Sequence, residues 1–99
     1  YENWVAEAIK SYYKNGDVVI LISSSGSSKN IVNAAKKAKQ LNLRVVTFSG
    51  FTEDNSLRQI GDLNFWLPSK AYNIIENTHS IWITTVVDMI LGKAEYNVN

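Results

Sequence analysis

The sequence has no cysteine, one proline and five glycines among its 99 residues. Without cysteine there is no disulfide framework, no thiol nucleophile and no cysteine metal site. Neither sign of charge dominates: 10 Lys and Arg stand against 9 Asp and Glu, for a net charge of +1. That balance gives no basis for binding nucleic acid or an anionic membrane surface. No apolar run approaches the ~20 residues of a membrane span, and no basic-then-apolar leader opens the chain. The expectation is a cytoplasmic protein with neither nucleic acid nor membrane as partner. Hydrophobic residues make up 45% of the sequence, an ordinary share for a globular protein, and the length allows one domain at most. The chain opens on Tyr1 rather than Met, which reads as a piece of a longer protein or a trimmed end.

The hydrophobic pattern predicts alternating helices and strands. Trp4, Val5, Ala8, Ile9 and Tyr12 recur at helical spacing over residues 3–14, and Asn15-Gly16-Asp17 turns the chain. Val18 to Ile22 is an uninterrupted apolar strand, which needs cover on both faces as strands of a parallel sheet do. A helix over 31–41 carries the stripe Ile31, Val32, Ala35 and Ala38, with Lys36, Lys37 and Lys39 off it; Ser28 or a neighbour is its expected cap. Residues 44–49 form a second strand, 56–60 a short helical turn and 63–67 a third strand ended by Pro68. The last helix runs from about 73 to 91. Its second half is apolar nearly all round, so it is either sandwiched in the domain or pressed against another subunit. This order implies βαβ units and three parallel strands. Three strands make a thin sheet with a bare edge, which implies further chain or a partner.

The most informative stretch is Ile22-Ser23-Ser24-Ser25-Gly26-Ser27-Ser28-Lys29-Asn30, between the first strand and the second helix. The first N–H groups of a helix lack internal partners and its dipole favours negative charge there. Serine hydroxyls add donors that can wrap a phosphate. A single glycine excludes the dinucleotide fingerprint, Gly-Lys-Ser/Thr is absent, and Ser23 and Ser27 stand where a nucleophile elbow needs glycines. Simple helix capping is the competing reading, though one hydroxyl suffices for a cap. Lys29 in the first helical turn meets the positive dipole end; an anion in the loop would reverse that sign, and a lysine bent into solvent would remove it.

This loop and its surroundings resemble the SIS (sugar isomerase) domain. The chain looks like the C-terminal half to two-thirds of phosphoheptose (sedoheptulose 7-phosphate) isomerases. The resemblance is carried by Gly16-Asp17-Val18, the serine loop, Ala34-Ala35-Lys36, the run Leu43 to Gly50, Asp62 with the third strand, and Ile75-Glu76-Asn77-Thr78-His79. It implies a three-layer α/β sandwich with a parallel sheet, flavodoxin-like or SIS, of which residues 1–99 supply a single partial domain with the last three strands. It also implies that Ser23, Ser24, Ser25 and Ser28 bind the phosphate of a phosphosugar. The absent part would carry a catalytic glutamate. Glu76 falls where the heptose enzymes have a glutamine, His79 matches a less critical histidine, and Thr84 stands where they have a catalytic and metal-binding histidine. The family allows zinc, but a threonine cannot replace an imidazole there, so no cofactor and no metal ligand are assigned. Family members are commonly dimers or tetramers, and the same homo-oligomers are expected here.

Apart from the family, Glu76 and His79 lie three apart and share a helical face. They read as an acid/base pair in which the glutamate holds the imidazole, suited to moving a proton between adjacent carbons, or as a local pair in a helix's first turn. The expected function is a phosphosugar isomerase of the SIS type, with a non-catalytic phosphosugar-sensing domain as the alternative. Trp66 and Trp82 read as core or subunit-contact residues, and Trp4 belongs to the first helix's apolar stripe. Tyr72 either faces a sugar ring or staples the start of the last helix.

Overall fold

The computed structural model describes residues 2–93. Its elements are α1 (Trp4–Tyr12), β1 (Val18–Ile22), α2 (Lys29–Gln40), β2 (Arg44–Ser49), α3 (Ser56–Ile60), β3 (Leu63–Trp66) and α4 (Tyr72–Leu91). The strands form a parallel sheet in the order β1-β2-β3, with Val18 opposite Arg44 and Val46 opposite Leu63. Consecutive parallel strands need crossovers, and α2 and α3 provide them. The turn before β1 uses Gly16 at φ +88, and Asn42 at φ +59 ends the passage from α2 to β2.

One core lies between the sheet and the helices α1, α2 and α3. Leu21, Val32, Ala34, Ala35, Ala38, Leu43, Val45 and Leu57 are buried together there. The three alanines let the α2 backbone approach the strands closely. On the other face, α4 covers β2 and β3 through aromatic contacts: Phe48 lies 4.9 Å from Phe65 and 6.2 Å from Trp82, ring centre to ring centre. Helices on both faces of the sheet make the three expected layers.

Two expectations need correction, and a third is narrowed. β1 is covered on one face only among the described residues: Leu21 is buried, while Val18, Ile20 and Ile22 are exposed, because α4 packs over β2 and β3 instead. Trp4 is 58% exposed; the face of α1 turned inward is that of Ala6. Of the two alternatives for the second half of α4, sandwiching in the domain fails among the described residues, since Ile81, Met89 and Ile90 are all exposed, Ile90 at 80%, which leaves the subunit contact. Trp82 does pack as expected, against Phe48 and Phe65. No helix among the described residues is long and apolar enough to cross a membrane.

Asp62 ties the sheet's entrance end together. Its Oδ2 accepts the Val45 N–H at 2.8 Å and its Oδ1 meets Lys39 Nζ. The Lys39 ammonium, and then the Val45 amide, hold its carboxyl below the usual aspartate value. A carboxylate whose folded pKa is depressed contributes stability above its unfolded value, near pH 4, and loses it as pH falls through the lower folded value. Acid titrations monitored by circular dichroism will therefore show a smaller loss of stability below about pH 4 in Asp62→Asn than in the unsubstituted chain. Leu57, fully buried, tests the first core: Leu57→Ala will cost about 2–5 kcal/mol in urea unfolding.

Candidate functional site

β1 and β2 both end at the same edge of the sheet, where parallel α/β sheets bind ligands. The serine loop follows β1 there. Ser23 continues the strand, its N–H donating to the Phe48 carbonyl at 2.9 Å, and its buried hydroxyl oxygen accepts the Gly26 N–H at 3.1 Å. Ser25 Oγ accepts from the Ser27 N–H at 3.2 Å and from the Ser27 hydroxyl at 2.9 Å. Ser28 occupies the N-cap position of α2, yet its side chain makes no capping bond. The expected cap is thus positional only, and the first-turn amides of α2 and the exposed Ser28 hydroxyl stay available to a ligand. Lys29 points to solvent, 3.8 Å from Glu2 in an exposed pair of little energetic weight.

The loop's shape depends on a residue that sequence reading missed. Gly26 has φ +68, and a Cβ there would fall 2.0 Å from Asn55 Oδ1. Asn55 is 5% exposed. Its Oδ1 accepts the Arg58 N–H at 2.8 Å, and its Nδ2 lies 3.0 Å from Ser49 Oγ, 3.1 Å from the Gly50 carbonyl and 3.0 Å from the Thr52 carbonyl. The Gly26 carbonyl in turn accepts the Leu57 N–H at 2.9 Å. The only hint in the sequence is an Asn directly before the short 56–60 helix, a capping signal.

α4 brings the second set of candidates. A cleft of about 320 Å³ is lined by Ile22, Ser24, Glu76, His79, Ser80 and Ile83. One loop serine, the carboxylate and the imidazole are therefore brought together, while Ser23, Ser25 and Ser28 lie outside that lining. Glu76 is exposed at the cleft. His79 is 3% exposed, and its Nε2 lies 3.0 Å from the Ser49 carbonyl oxygen. A carbonyl can only accept, so the proton is assigned to Nε2. This corrects the expectation that Glu76 holds the ring: the Ser49 carbonyl does. His79 Nδ1 is buried with no partner, and the ring meets Phe48 edge-on at 5.7 Å.

The donor set does not fit zinc. Thr84 directs its hydroxyl to the Ser80 carbonyl of its own helix at 2.8 Å. Among the described residues no three His, Cys, Asp or Glu side chains gather as a metal site would require.

Residues 2–50 match the SIS domain family. In solved structures, the phosphoheptose isomerase of Francisella tularensis superposes on 87% of the chain with a TM-score of 0.80 at 24% identity, using 46% of its own length; that of Neisseria gonorrhoeae gives the same score and identity over 49% of its length. The chain has the SIS fold. By sequence it is similar to the phosphoheptose isomerase of Helicobacter pylori, 30% identical over 91% of the chain and 46% of the relative. It is also similar to the probable phosphoheptose isomerase of Thermoplasma acidophilum, 31% identical over 96% and 50%. The chain thus spans about half the length of the curated relatives it matches.

Within this fold the Gly26–Asn55 contact is the most sensitive point of the loop. Gly26→Ala adds both a left-handed-backbone penalty and a collision with a side chain fixed by its own hydrogen bonds. It will lower stability by about 2–4 kcal/mol, read by thermal or urea unfolding.

Proposed function

We propose that this chain is part of a phosphosugar isomerase of the SIS type, acting on a substrate similar to sedoheptulose 7-phosphate. The observation that carries the proposal is the cleft in which Ser24 of the serine loop meets Glu76 and His79 of α4. Likeness to phosphoheptose isomerases over 91% of the chain supports the choice of substrate. The amides at the start of α2 and the hydroxyls of Ser23, Ser24, Ser25 and Ser28 take the phosphate. Helix-end charge and neutral donors suit a dianion without requiring a cation.

Aldose–ketose interconversion removes a proton from the carbon beside the carbonyl and returns it to the neighbouring carbon through an enediol. Glu76, exposed at the cleft, is the group suited to carry that proton. His79, held by the Ser49 carbonyl through Nε2, lines the sugar end of the cleft. No metal step is assigned to these residues. Residues 1–99 form one partial domain in this reading. Further chain or a second copy covers the open face of β1 and the apolar end of α4, giving a homo-dimer or homo-tetramer.

A second reading, a phosphosugar-sensing domain without chemistry, is favoured by Thr84, whose hydroxyl is turned onto its own helix. One assay separates the two. In the isomerase reading the full-length protein converts sedoheptulose 7-phosphate, and Glu76→Ala lowers kcat about 100-fold or more with little change in KM. Absent turnover with intact phosphosugar binding would retire the isomerase in favour of the sensor.

A further inference from the structure

The segment that follows β2 carries a backbone anomaly that the proposed chemistry does not use. Phe51 has φ +58, the left-handed region that a bulky residue ordinarily avoids. Three hydrogen bonds impose it. The Phe51 N–H donates to the Ser69 carbonyl at 2.8 Å. The preceding carbonyl, that of Gly50, accepts from Trp66 Nε1–H at 3.2 Å and from Asn55 Nδ2 at 3.1 Å. Strain persists where its surroundings over-determine it, and such positions cluster at functional sites. What this one achieves is the aim of a ring. Phe51 lies 5.3 Å from the Tyr72 ring, the planes inclined at 60°.

The pair does not fill a core. Tyr72 is 58% exposed, which argues against a buried staple at the start of α4. Its place in the chain relates it to both elements that line the cleft. A Cβ added at Gly50 would meet Ile75 Cδ1 at 2.7 Å and the Ser24 carbonyl at 3.0 Å, so the residue before Phe51 is packed between α4 and the serine loop. On α4, Tyr72 is one turn before Glu76, and the lining positions 76, 79, 80 and 83 continue from it at helical spacing.

We infer that Phe51 and Tyr72 form a specificity subsite that takes the apolar C–H face of the sugar portion of the ligand. This rests on the phosphosugar reading of the serine loop. A sugar carries C–H bonds on its faces and hydroxyls at its rim, and an exposed aromatic surface matches the former at small entropic cost. Inorganic phosphate has no such face. The loop therefore supplies a contact common to every phosphate ester, while the aromatic pair separates phosphosugars from phosphate itself.

Calorimetric titration of the full chain with sedoheptulose 7-phosphate and, separately, inorganic phosphate tests this. The unsubstituted chain will bind the phosphosugar more tightly than phosphate. Phe51→Gly, which also releases the backbone strain, and Tyr72→Ala, at an exposed position, will each weaken phosphosugar binding about three- to tenfold and leave phosphate binding unchanged. Tyr72→Phe will restore the phosphosugar affinity. Unchanged phosphosugar binding in both ring deletions, or an equal loss for the two probes, overturns the subsite while leaving the loop reading intact. Binding of neither probe by the unsubstituted chain overturns the loop reading and the subsite together.

Discussion

The ligand edge of the sheet depends on one buried amide, the side chain of Asn55. Its oxygen starts α3, its nitrogen gathers Ser49, Gly50 and Thr52, and its bulk fills the space that only a glycine at position 26 leaves open. A buried primary amide is costly unless its hydrogen bonds are met, and here both ends are met. The same short segment after β2 then serves two further purposes. The Ser49 carbonyl orients His79, and the Gly50 carbonyl helps hold Phe51 in its strained conformation. The loop after β1, the imidazole on α4 and the aromatic pair are thus referred to a single local frame.

That frame explains which features were legible in the sequence. The strands were, since runs such as Val18 to Ile22 contain only apolar, mostly β-branched side chains and admit few alternatives. The serine loop and the alanine face of α2 were legible for the same reason: each is a local pattern of residue type. Asn55 was not, because its importance comes from Gly26, which lies 29 positions earlier and meets it only in the fold. The His79 partner escaped for a related reason. Spacing of three on a helix suggests Glu76, but a backbone carbonyl has no signature in sequence, and Ser49 supplies it.

The open surfaces share a cause too. An all-apolar strand and an all-apolar helix end imply cover without saying what covers them. In the described residues Ile20, Ile22, Met89 and Ile90 remain open to solvent. The chain spans about half the length of the relatives it matches, so the open faces and the site's single carboxylate are consistent with one another. In the proposed function the cleft contributes one loop serine, Ser24, and the Glu76 carboxylate.

In the proposed function the serine loop grips a phosphate group beside Glu76. A crystal structure of the chain with sedoheptulose 7-phosphate tests it most directly. The proposed function predicts the phosphate against the hydroxyls of Ser23, Ser24, Ser25 and Ser28 and the first amides of α2, with the sugar running toward Glu76. A phosphate bound elsewhere, with that loop empty and its amides turned onto protein acceptors, would contradict it.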